Sequence, residues 1–283
     1  MKILGHRGCI MKNAPYQNSL EAFKQGIALG DGIETDACVS LDGDIFFIHE
    51  AKYADTKVEY ALNEHLNDVS SLIVGTRRLD QLTTNEVKTL KLKDGSSIPS
   101  WDETVALFTN NSDKIFNIEL KSAAIVQSLI PRLELAFLES KLAPEQVVIS
   151  SFNHPSLIKV RQAFPNISIG ALFVSNAQKP APLFPWAAAN TQAQYMPLNK
   201  ASLTNSLLKE IKPQFVIAPH TELNDNQINL IKECQPQAKV IIWVFTEWPT
   251  FNMPEFTANT EKFKKDGLLD TIIVDNLESY ERS

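Results

Sequence analysis

Apolar and polar positions along this chain form two kinds of stretch that follow one another in alternation. Short runs such as Ile115–Leu120 are apolar at most positions or at every second one, which is typical of strands. Longer stretches such as Ser19–Leu29 place apolar residues three and four positions apart, which is typical of helices that pack one face on a core. Eight runs are predicted as strands: Lys2–Gly5, Gly32–Asp36, Ile115–Leu120, Val147–Ser151, Ile167–Phe173, Gln214–Ala218, Val240–Phe245 and Thr271–Val274.

Helical patterns separate most of the predicted strands. The first follows Asn18 or Ser19, either of which suits the N-cap position, and has Leu20, Phe23 and Ile27 on one face. The predicted helices are Ser19–Leu29, Trp101–Thr109, Ala123–Glu139, His154–Ala163, Asp225–Cys234 and Phe256–Asp266. This repetition indicates an α/β fold of parallel strands joined by crossover helices, and eight strands predict closure into a TIM (β/α)8 barrel. The alternative is an open doubly wound sheet, but the sequence has no glycine-rich dinucleotide loop to favour it.

Two segments interrupt the alternation. Glu50–Pro99 is far longer than the usual connection of about 2–6 residues, and we predict a small insertion with short helices of its own after the second strand region. Gln178–Leu198 is rich in proline and alanine and is predicted as a second, irregular excursion. Residues 1–283 are therefore predicted to form a single barrel domain that carries residues 50–99 as an insertion.

Composition narrows the classes of protein that remain. The chain has 283 residues, 44% of them hydrophobic, which suits one barrel of about 250 residues with a large core. A formal net charge of −6 argues against a nucleic-acid partner. No run approaches the ~20 apolar residues of a transmembrane segment, and we expect no leader before the first predicted strand. Three cysteines far apart form no zinc pattern and fit a reducing compartment, so we expect a cytoplasmic protein, with its oligomeric state left open.

Candidate chemistry begins at the second predicted strand. Glu34 and Asp36 are two positions apart and therefore project to the same face. Asp42-Gly43 predicts a tight turn, and a chain that folds back there brings His49 opposite Asp36, about 5 Å away. Two carboxylates and an imidazole then share one small region. The alternative is a solvated acidic strand end with a surface histidine.

The end of the third predicted strand favours an internal site. Glu119 and Lys121 form a charged pair there, which is costly to place inside a barrel unless a metal ion and an anion accompany it. With Glu34 and Asp36, Glu119 completes a set of three carboxylates without cysteine, which suits Mg²⁺ or Ca²⁺ rather than zinc. Arg7 and Lys121 would then supply positive charge for a phosphate.

Several motifs occur in the order typical of one known family. They are GHRG, QNSLEAF, GIETDACVSLDGDIFFIHE, SIPSWDETVALF, NIELK, VVISSF, IIWVFTE and DTIIVDN. Together they resemble the glycerophosphodiester phosphodiesterase family over nearly the whole chain. The resemblance implies a TIM barrel with a small insertion where residues 50–99 lie. It also implies a set of site residues: Glu34, Asp36 and Glu119 as ligands of one divalent cation, His6 and His49 as the two histidines, and Arg7 and Lys121 as phosphate contacts.

The reaction that the resemblance implies is metal-dependent hydrolysis of a small glycerophosphodiester-like substrate to an alcohol and a phosphomonoester. A divalent cation, Mg²⁺ or Ca²⁺, neutralises charge as the pentavalent transition state forms. One imidazole of His6 and His49 takes a proton from the attacking oxygen and the other gives one to the leaving alcohol, and the sequence does not assign the two roles. The attacking oxygen belongs to water or to the neighbouring glycerol hydroxyl. Trp243 ends a predicted strand, where it either contacts the substrate's alcohol or packs in the core.

The resemblance is incomplete around the substrate. Gln17 stands where the family's Pro-Glu-Asn-Thr motif has glutamate, Glu50 follows His49 in place of aspartate, and the next stretch reads AKYADTKVEY. We therefore expect a changed head-group preference. Two other functions stay open. A sphingomyelinase D-like phospholipase usually has paired cysteines, which this sequence lacks, and Gln17 is the only feature that favours a non-catalytic phosphodiester-binding barrel.

The remaining histidines and cysteines receive structural interpretations. His65 and His154 are predicted at the surface or at a helix start, and His220 follows a strand end. Cys9 and Cys38 flank the proposed site without the partners of a cysteine nucleophile, so they are predicted to pack.

Overall fold

The secondary structure is taken from a computed structural model, which describes residues 1–9, 15–52, 59–177, 181–182, 194–244 and 252–278. The strands in chain order are β1 (Lys2–His6), β2 (Gly32–Val39), β3 (Ile45–Phe47), β4 (Ala51–Lys52), β5 (Glu59–Tyr60), β6 (Ile115–Leu120), β7 (Val147–Ser151), β8 (Ser168–Leu172), β9 (Ala181–Pro182), β10 (Gln194–Tyr195), β11 (Phe215–Pro219), β12 (Lys239–Trp243) and β13 (Leu269–Val274). The α-helices are α1 (Leu20–Leu29), α2 (Asp68–Val74), α3 (Thr84–Thr89), α4 (Trp101–Thr109), α5 (Ile125–Leu138), α6 (His154–Ala163), α7 (Lys200–Leu203), α8 (Ser206–Ile211), α9 (Asp225–Cys234) and α10 (Met253–Lys265). Short 3-10 helices span Leu62–His65, Leu79–Gln81, Pro144–Gln146 and His220–Glu222. Within these ranges, no helix combines the length and the apolar character needed to cross a membrane.

Eight parallel strands in the described part of the chain close into a barrel. Their order around the barrel is β1, β2, β6, β7, β8, β11, β12 and β13, and β1 pairs with both β2 and β13. At the closing pairs, His6 lies beside Glu34 and Leu4 lies beside Ile273. The predicted TIM barrel is confirmed, and the open sheet is excluded because the first strand has a neighbour on each side.

The bounds of the barrel elements agree closely with the predicted ones. Ile115–Leu120 is a strand with the predicted bounds, and no matched end differs by more than three residues. The largest difference at a helix is in α10, which begins at Met253 rather than Phe256. Asn252 accepts a hydrogen bond from the backbone N–H of Glu255 and so caps an additional turn.

Two predicted elements reach beyond the described residues. Phe245, the last residue of the predicted strand Val240–Phe245, lies outside them, and the observed strand ends at Trp243. The predicted excursion over residues 178–198 is described only at 181–182 and 194–198, where β9 and β10 pair in antiparallel orientation.

The turn that follows β1 brings the chain back against the start of α1. Gly8 has φ +93°, and a Cβ there would lie 2.5 Å from the backbone carbonyl carbon of Ala22. Arg7 has φ +53°, a left-handed conformation that is uncommon for a residue other than glycine. The carbonyl of Arg7 accepts a hydrogen bond from the backbone N–H of Asn18 at 2.9 Å, which holds the turn in place. The GHRG sequence therefore places Arg7 at the carboxyl end of the barrel by backbone geometry as well as by strand direction.

Apolar side chains fill the barrel below its carboxyl end and also join the strands to the helices. The inner group consists of Leu4, Ile115, Val148, Leu172, Ile217, Ile241 and Ile273. The outer group is larger and includes Phe23, Phe47 and Phe116, each fully buried. Burial of one such side chain contributes about 1.5–3 kcal/mol to folding. The inner group forms an apolar floor beneath the polar residues described below.

Residues 50–99, which were predicted as an insertion with short helices, lie between β3 and α4 and carry α2 and α3. The segment covers the β2–β3 hairpin, since the backbone N–H of Leu41 donates to the carbonyl of Leu82 at 2.8 Å and that of Phe47 donates to the carbonyl of Pro99 at 2.9 Å. Apolar residues from both parts form one cluster: Cys38, Phe46, Ile48, Leu62, Leu66, Val74, Leu79, Leu82, Val87, Leu90, Leu92 and Ile98.

Glu50 joins the start of this segment to its middle by a hydrogen bond, and we predict that it makes the free energy of unfolding depend on pH. Its Oε2 accepts a hydrogen bond from the backbone N–H of Leu79 at 3.2 Å, and burial raises its pKa to about 7. The folded state therefore favours the protonated carboxyl. Stability should be greatest below about pH 4.5 with respect to this group, and should fall as pH rises toward 7, by about 2–3 kcal/mol. Glu50→Gln should remove this loss, so the variant should unfold at higher denaturant concentration than the wild type at pH 8.

The control for this prediction is Glu64→Gln, which changes an exposed carboxylate in the same segment. Denaturant unfolding of all three proteins at pH 5 and pH 8 gives the comparison. A Glu50→Gln effect of equal size at both pH values would show that ionisation of Glu50 does not limit stability.

Candidate active site

A cavity opens at the carboxyl ends of the barrel strands, where the sites of TIM-barrel enzymes form. Its polar wall consists of His6, Arg7, Glu34, His49, Asn117, Glu119, Lys121 and Ser150. Its apolar wall consists of Phe152, Leu172, Ile217, Trp243 and Ile273. Seven of the eight predicted site residues thus line one cavity. The eighth, Asp36, is 1% exposed and lies behind Arg7 and Lys121, in contact with both.

The three predicted carboxylates meet because β2 and β6 are neighbouring parallel strands. Asp36 is beside Glu119 in the register, and Glu34 is beside Asn117. One oxygen from each of the three carboxylates lies within 4.8 Å of the others. Carboxylate oxygens bind Mg²⁺ or Ca²⁺ at about 2.0–2.6 Å, so a group of this size suits a single ion. The structure therefore brings together the set that the sequence analysis singled out.

Two cationic side chains and an amide surround Asp36. Arg7 Nε lies 3.0 Å from Asp36 Oδ2, and Lys121 Nζ lies 3.0 Å from Asp36 Oδ1 and 2.7 Å from Glu119 Oε1. Asn18 Nδ2 also donates to Asp36 Oδ2 at 3.0 Å. Burial alone would raise the pKa of Asp36, but Lys121 and Arg7 hold that pKa well below its usual value. Asp36 is therefore ionised at neutral pH.

Glu34 is in a different position, and it provides a test of whether a cation fits. Burial, together with the charges of Asp36 and Glu119, raises the pKa of Glu34 well above its usual value. The backbone N–H of Arg7 donates to its Oε2 at 3.3 Å, whereas its buried Oε1 has no hydrogen-bond partner among the described residues. Three carboxylates face the two positive charges of Arg7 and Lys121. A divalent cation would meet the open oxygen and reduce the repulsion, so these residues fit the ion that the family resemblance implies.

His6 is oriented by a carboxylate from the last barrel strand. Its Nδ1 lies 2.6 Å from Oδ1 of Asp275, which directly follows β13, and its Nε2 lies 3.8 Å from Oε2 of Glu34. The hydrogen bond to His6 lowers the pKa of Asp275, although burial acts in the opposite direction. Asp275 thus holds the ring so that Nε2 faces the carboxylates. Asp275 was not among the predicted site residues; its place in the motif DTIIVDN and its position at the end of the final strand, next to β1 in a closed barrel, were the signals that could have identified it.

His49 also lines the cavity, but the predicted pairing was wrong by one residue. The β2–β3 register joins Ala37 to Phe47, and the backbone N–H of Ile48 donates to the carbonyl of Asp36 at 2.9 Å. Ile48, not His49, is therefore opposite Asp36. The antiparallel ladder ends at Phe47, so the chain beyond it no longer follows strand alternation and His49 faces the cavity. Burial, with the charges of Arg7 and Lys121, lowers the pKa of His49 well below its usual value, which keeps the ring neutral.

His65 and His154, which were predicted at the surface or at a helix start, are both buried, and His154 is the first residue of α6. His65 is 4% exposed, its Nδ1 lies 3.1 Å from the hydroxyl of Tyr16, and its ring packs edge-on against His49 at 6.1 Å. His154 is 2% exposed and its Nε2 donates to a backbone carbonyl of β8 at 3.0 Å. Burial lowers the pKa of each to about 4. His220 lines a different cavity beside α9 and α10.

Gln17, which stands where the family motif has glutamate, contacts one of the predicted phosphate-binding residues. Gln17 Oε1 accepts a hydrogen bond from Arg7 Nη1 at 2.5 Å, so a neutral amide stands beside the guanidinium. The next residue, Asn18, orients a carboxylate: its Oδ1 accepts from Thr35 Oγ1 at 2.7 Å while its Nδ2 donates to Asp36. The sequence analysis treated Asn18 only as a possible helix cap. The N-cap that the structure uses is Ser19.

Cys9 and Cys38 are 0% and 6% exposed and do not line the cavity. Burial raises the pKa of both thiols, and Cys38 Sγ donates to the carbonyl of Ile48 at 3.3 Å. Both are placed as packing residues, as predicted.

Aromatic side chains form one edge of the apolar wall. The ring of Phe152 lies 5.8 Å from that of Trp243 and 5.1 Å from that of Tyr195, in edge-to-face geometry. Trp243 is partly exposed and faces the cavity, so of the two predicted positions it occupies the one at the cavity wall. Its contact with a substrate stays a prediction.

The closed parallel barrel holds three carboxylates, two basic side chains and two imidazoles at its carboxyl end. This combination is typical of a TIM-barrel enzyme that acts on phosphate esters. The model of the glycerophosphoryl diester phosphodiesterase family matches residues 6–279. The chain therefore belongs to this family, and it is an enzyme of the phosphoric diester hydrolase class.

Similar proteins agree with this assignment. A glycerophosphodiester phosphodiesterase from Caldanaerobacter subterraneus is 31% identical over 63% of this chain and 69% of its own length, and one from Bacillus altitudinis is 26% identical over 80% and 88%. Two solved structures share the fold. A glycerophosphodiester phosphodiesterase from Parabacteroides distasonis has a TM-score of 0.64 at 16% identity, over 98% of this chain and 94% of its own. An Oleispira antarctica phosphodiesterase, in complex with the product sn-glycerol-3-phosphate, has a TM-score of 0.65 at 16% identity, over 99% and 95%.

Proposed function

We propose that this enzyme hydrolyses a glycerophosphodiester to an alcohol and a phosphomonoester, with one divalent cation, Mg²⁺ or Ca²⁺, held by Glu34, Asp36 and Glu119. The observation that carries the proposal is the convergence of these carboxylates with Arg7, Lys121 and two imidazoles around one cavity. Family membership and the relatives named glycerophosphodiester phosphodiesterase support the same substrate class.

Binding of the phosphodiester uses the charge of the polar wall. When bound, the cation neutralises the phosphoryl oxygens and the charge that grows in the transition state. Lys121 Nζ already lies between Asp36 and Glu119, and Arg7 is fixed between Gln17 and Asp36. Their side chains therefore present positive charge in fixed positions, which favours an anion without further ordering of the protein.

Proton transfer is the task that we assign to His6 and His49. Both rings line the cavity, so each is within reach of an oxygen on a bound phosphodiester. Asp275 fixes the His6 ring with Nε2 toward the cavity, and burial keeps His49 neutral. One ring accepts the proton of the attacking water or glycerol hydroxyl, and the other donates a proton to the leaving alcohol.

The direct test is hydrolysis of a panel of diesters by the purified chain with Mg²⁺ or Ca²⁺. The panel contains glycerophosphocholine, glycerophosphoethanolamine, glycerophosphoglycerol, glycerophosphoinositol and lysophosphatidylcholine. Formation of glycerol phosphate from any glycerophosphodiester supports the proposal. Cleavage of lysophosphatidylcholine alone favours the sphingomyelinase D-like alternative, and binding of diesters without any turnover favours the non-catalytic barrel.

The same panel tests a prediction about the head group. We expect the highest kcat/KM on a substrate other than glycerophosphocholine or glycerophosphoethanolamine, because Gln17, which contacts Arg7, and the sequence of residues 51–60 depart from the family pattern. Residues 53–58 of that stretch lie outside the described part of the chain. A clear best rate on either of the two standard substrates would contradict the prediction.

A further inference from the structure

Asn117 and Ser150 form a polar pair in the cavity that the catalytic roles above leave unused. Asn117 lies on β6 two residues before Glu119, so both side chains project into the barrel. Ser150 lies on β7, directly beside Glu119 in the register. Each is 1% exposed, and each lines the cavity next to the carboxylates.

The hydrogen bonds of the pair are only partly satisfied within the protein. Ser150 Oγ donates to Asn117 Oδ1 at 2.9 Å. This bond fixes the amide and directs its nitrogen away from Ser150. Asn117 Nδ2 is buried and has no hydrogen-bond partner among the described residues. An unpaired buried amide donor costs about 1–3 kcal/mol, and a group in the cavity that accepts from it removes that cost.

The hydrogen-bonding groups of Asn117 and Ser150 that are not used within the pair indicate which substrate group fits between them. Asn117 offers an N–H donor, and Ser150 Oγ, having used its hydrogen, offers an acceptor lone pair. A hydroxyl is both acceptor and donor, so one hydroxyl matches the pair in full. A phosphoryl oxygen only accepts, and the positive charges of Arg7 and Lys121 contact Asp36, which lies beside Glu119 and not beside Asn117 in the strand register. The pair therefore fits an alcohol better than a phosphate.

The position of Asn117 and Ser150 relative to the carboxylates determines which part of the substrate this pair contacts. Asn117 is beside Glu34 across the β2–β6 pairing, and Ser150 is beside Glu119 across the β6–β7 pairing. A hydroxyl bound there belongs to a carbon close to the phosphate. The same cavity is lined by the apolar side chains of Leu172, Ile217 and Ile273, which suit carbon atoms and leave other hydroxyls unpaired.

Resting on the proposed function, we infer that Asn117 and Ser150 recognise a free hydroxyl on the glycerol moiety of the substrate and thereby select glycerol diesters over simple alkyl diesters. Asn117 Nδ2 donates to the hydroxyl oxygen, and the hydroxyl donates to Ser150 Oγ. Neither residue transfers a proton in the reaction, so the pair determines specificity and not the chemical step.

The test measures binding, which separates recognition from chemistry. Isothermal titration with Mg²⁺ present gives Kd for sn-glycerol-3-phosphate and for n-propyl phosphate, which has the same carbon chain and phosphate without the hydroxyls. The wild type should bind sn-glycerol-3-phosphate roughly 10-fold or more tightly than n-propyl phosphate, since one well-paired hydroxyl is worth about 1.4 kcal/mol or more. Asn117→Leu and Ser150→Ala should each reduce this preference to within about 3-fold, chiefly by weakening sn-glycerol-3-phosphate.

The matched control is Ser151→Ala, which removes a buried hydroxyl on the same strand that donates to the carbonyl of Leu120 and not into the cavity. It should keep the wild-type preference. The inference is overturned if either cavity variant keeps the preference, or if both phosphates lose equal affinity, which would indicate a phosphate contact or a structural role. Ser150→Ala removes a single atom and serves if Asn117→Leu does not fold.

This measurement is independent of the proposed reaction. If no diester is hydrolysed but the hydroxyl preference depends on Asn117 and Ser150, the proposed function fails and the binding inference stands. If diesters are hydrolysed but the preference does not depend on the pair, only the inference fails. Where the preference does depend on Asn117 and Ser150, the Kd values of 2-hydroxypropyl phosphate and 3-hydroxypropyl phosphate identify the hydroxyl that the pair contacts.

Discussion

His6→Ala and His49→Ala should each lower kcat by about 100-fold or more while the fold stays intact. General acid and general base groups contribute about 10²–10⁴-fold each, and these two imidazoles line the cavity beside the carboxylates. The hydrogen bond between His6 Nδ1 and Asp275 and the burial of His49 give each ring a defined orientation. Steady-state kinetics on the best substrate of the panel, with circular dichroism of each variant, provide the measurement.

The control for the histidine variants is His220→Gln, since His220 lines a different cavity. It should keep turnover within about 3-fold of the wild type, because no proton transfer is assigned to it. Near wild-type turnover in His6→Ala or His49→Ala would show that the proton-transfer role of that residue is wrong. A loss confined to KM would instead assign the residue to binding.

Removal of divalent cations should lower activity by at least about 100-fold, and Mg²⁺ or Ca²⁺ should restore it. The expectation follows from three carboxylates with oxygens within 4.8 Å of one another, which among the described residues are paired with the two positive side chains of Arg7 and Lys121. The cation should also raise the thermal unfolding temperature, because a ligand that binds only the folded state stabilises it. Activity that persists after thorough chelation would exclude the cation from the mechanism.

Glu119→Gln separates the metal site from general effects of buried charge. It should cause a loss like that of chelation which added cation does not reverse, and the shift in unfolding temperature on addition of cation should shrink. Glu222→Gln is the matched control. Glu222 is a carboxylate at 5% exposure, compared with 13% for the side chain of Glu119, but it accepts a hydrogen bond from Ser175 Oγ at 2.6 Å and does not line the cavity. If both variants lose activity equally, the effect cannot be assigned to cation binding.

The sequence predicted most of the barrel because its information is local. Alternating residues such as Phe116 and Ile118 define a strand face, and a capped stretch such as Leu20–Leu29 defines a helix, whatever lies elsewhere in the chain. Parallel strands that follow one another also place their ends together. The grouping of Glu34, Asp36 and Glu119 therefore follows from the sequence alone.

Predictions from the sequence were least accurate where a contact depends on barrel closure, on the exact register of two strands or on packing of a distant segment. The hydrogen bond of His6 to Asp275 joins residues from the first and last barrel strands, and it exists only because β1 pairs with β13. His49 was placed opposite Asp36 by a pairing that is off by one residue, since the observed register joins Ala37 to Phe47 and puts Ile48 opposite Asp36. His65 was predicted at the surface or at a helix start, because nothing near it in sequence indicates that residues 62–98 pack over the β2–β3 hairpin.

The sequence by itself determined the order of the eight barrel strands and of six helices, the face on which each carboxylate lies, and the charged groups available to a phosphate. Those properties follow from side-chain alternation and from the residue types alone. Only the tertiary structure decided which hydrogen bonds orient those groups: Asp275 on His6, Asn18 on Asp36 and Ser150 on Asn117. Each joins strands or turns whose relative position is set by barrel closure and packing, and a hydrogen bond that tolerates only a few tenths of an ångström has no counterpart in local sequence pattern.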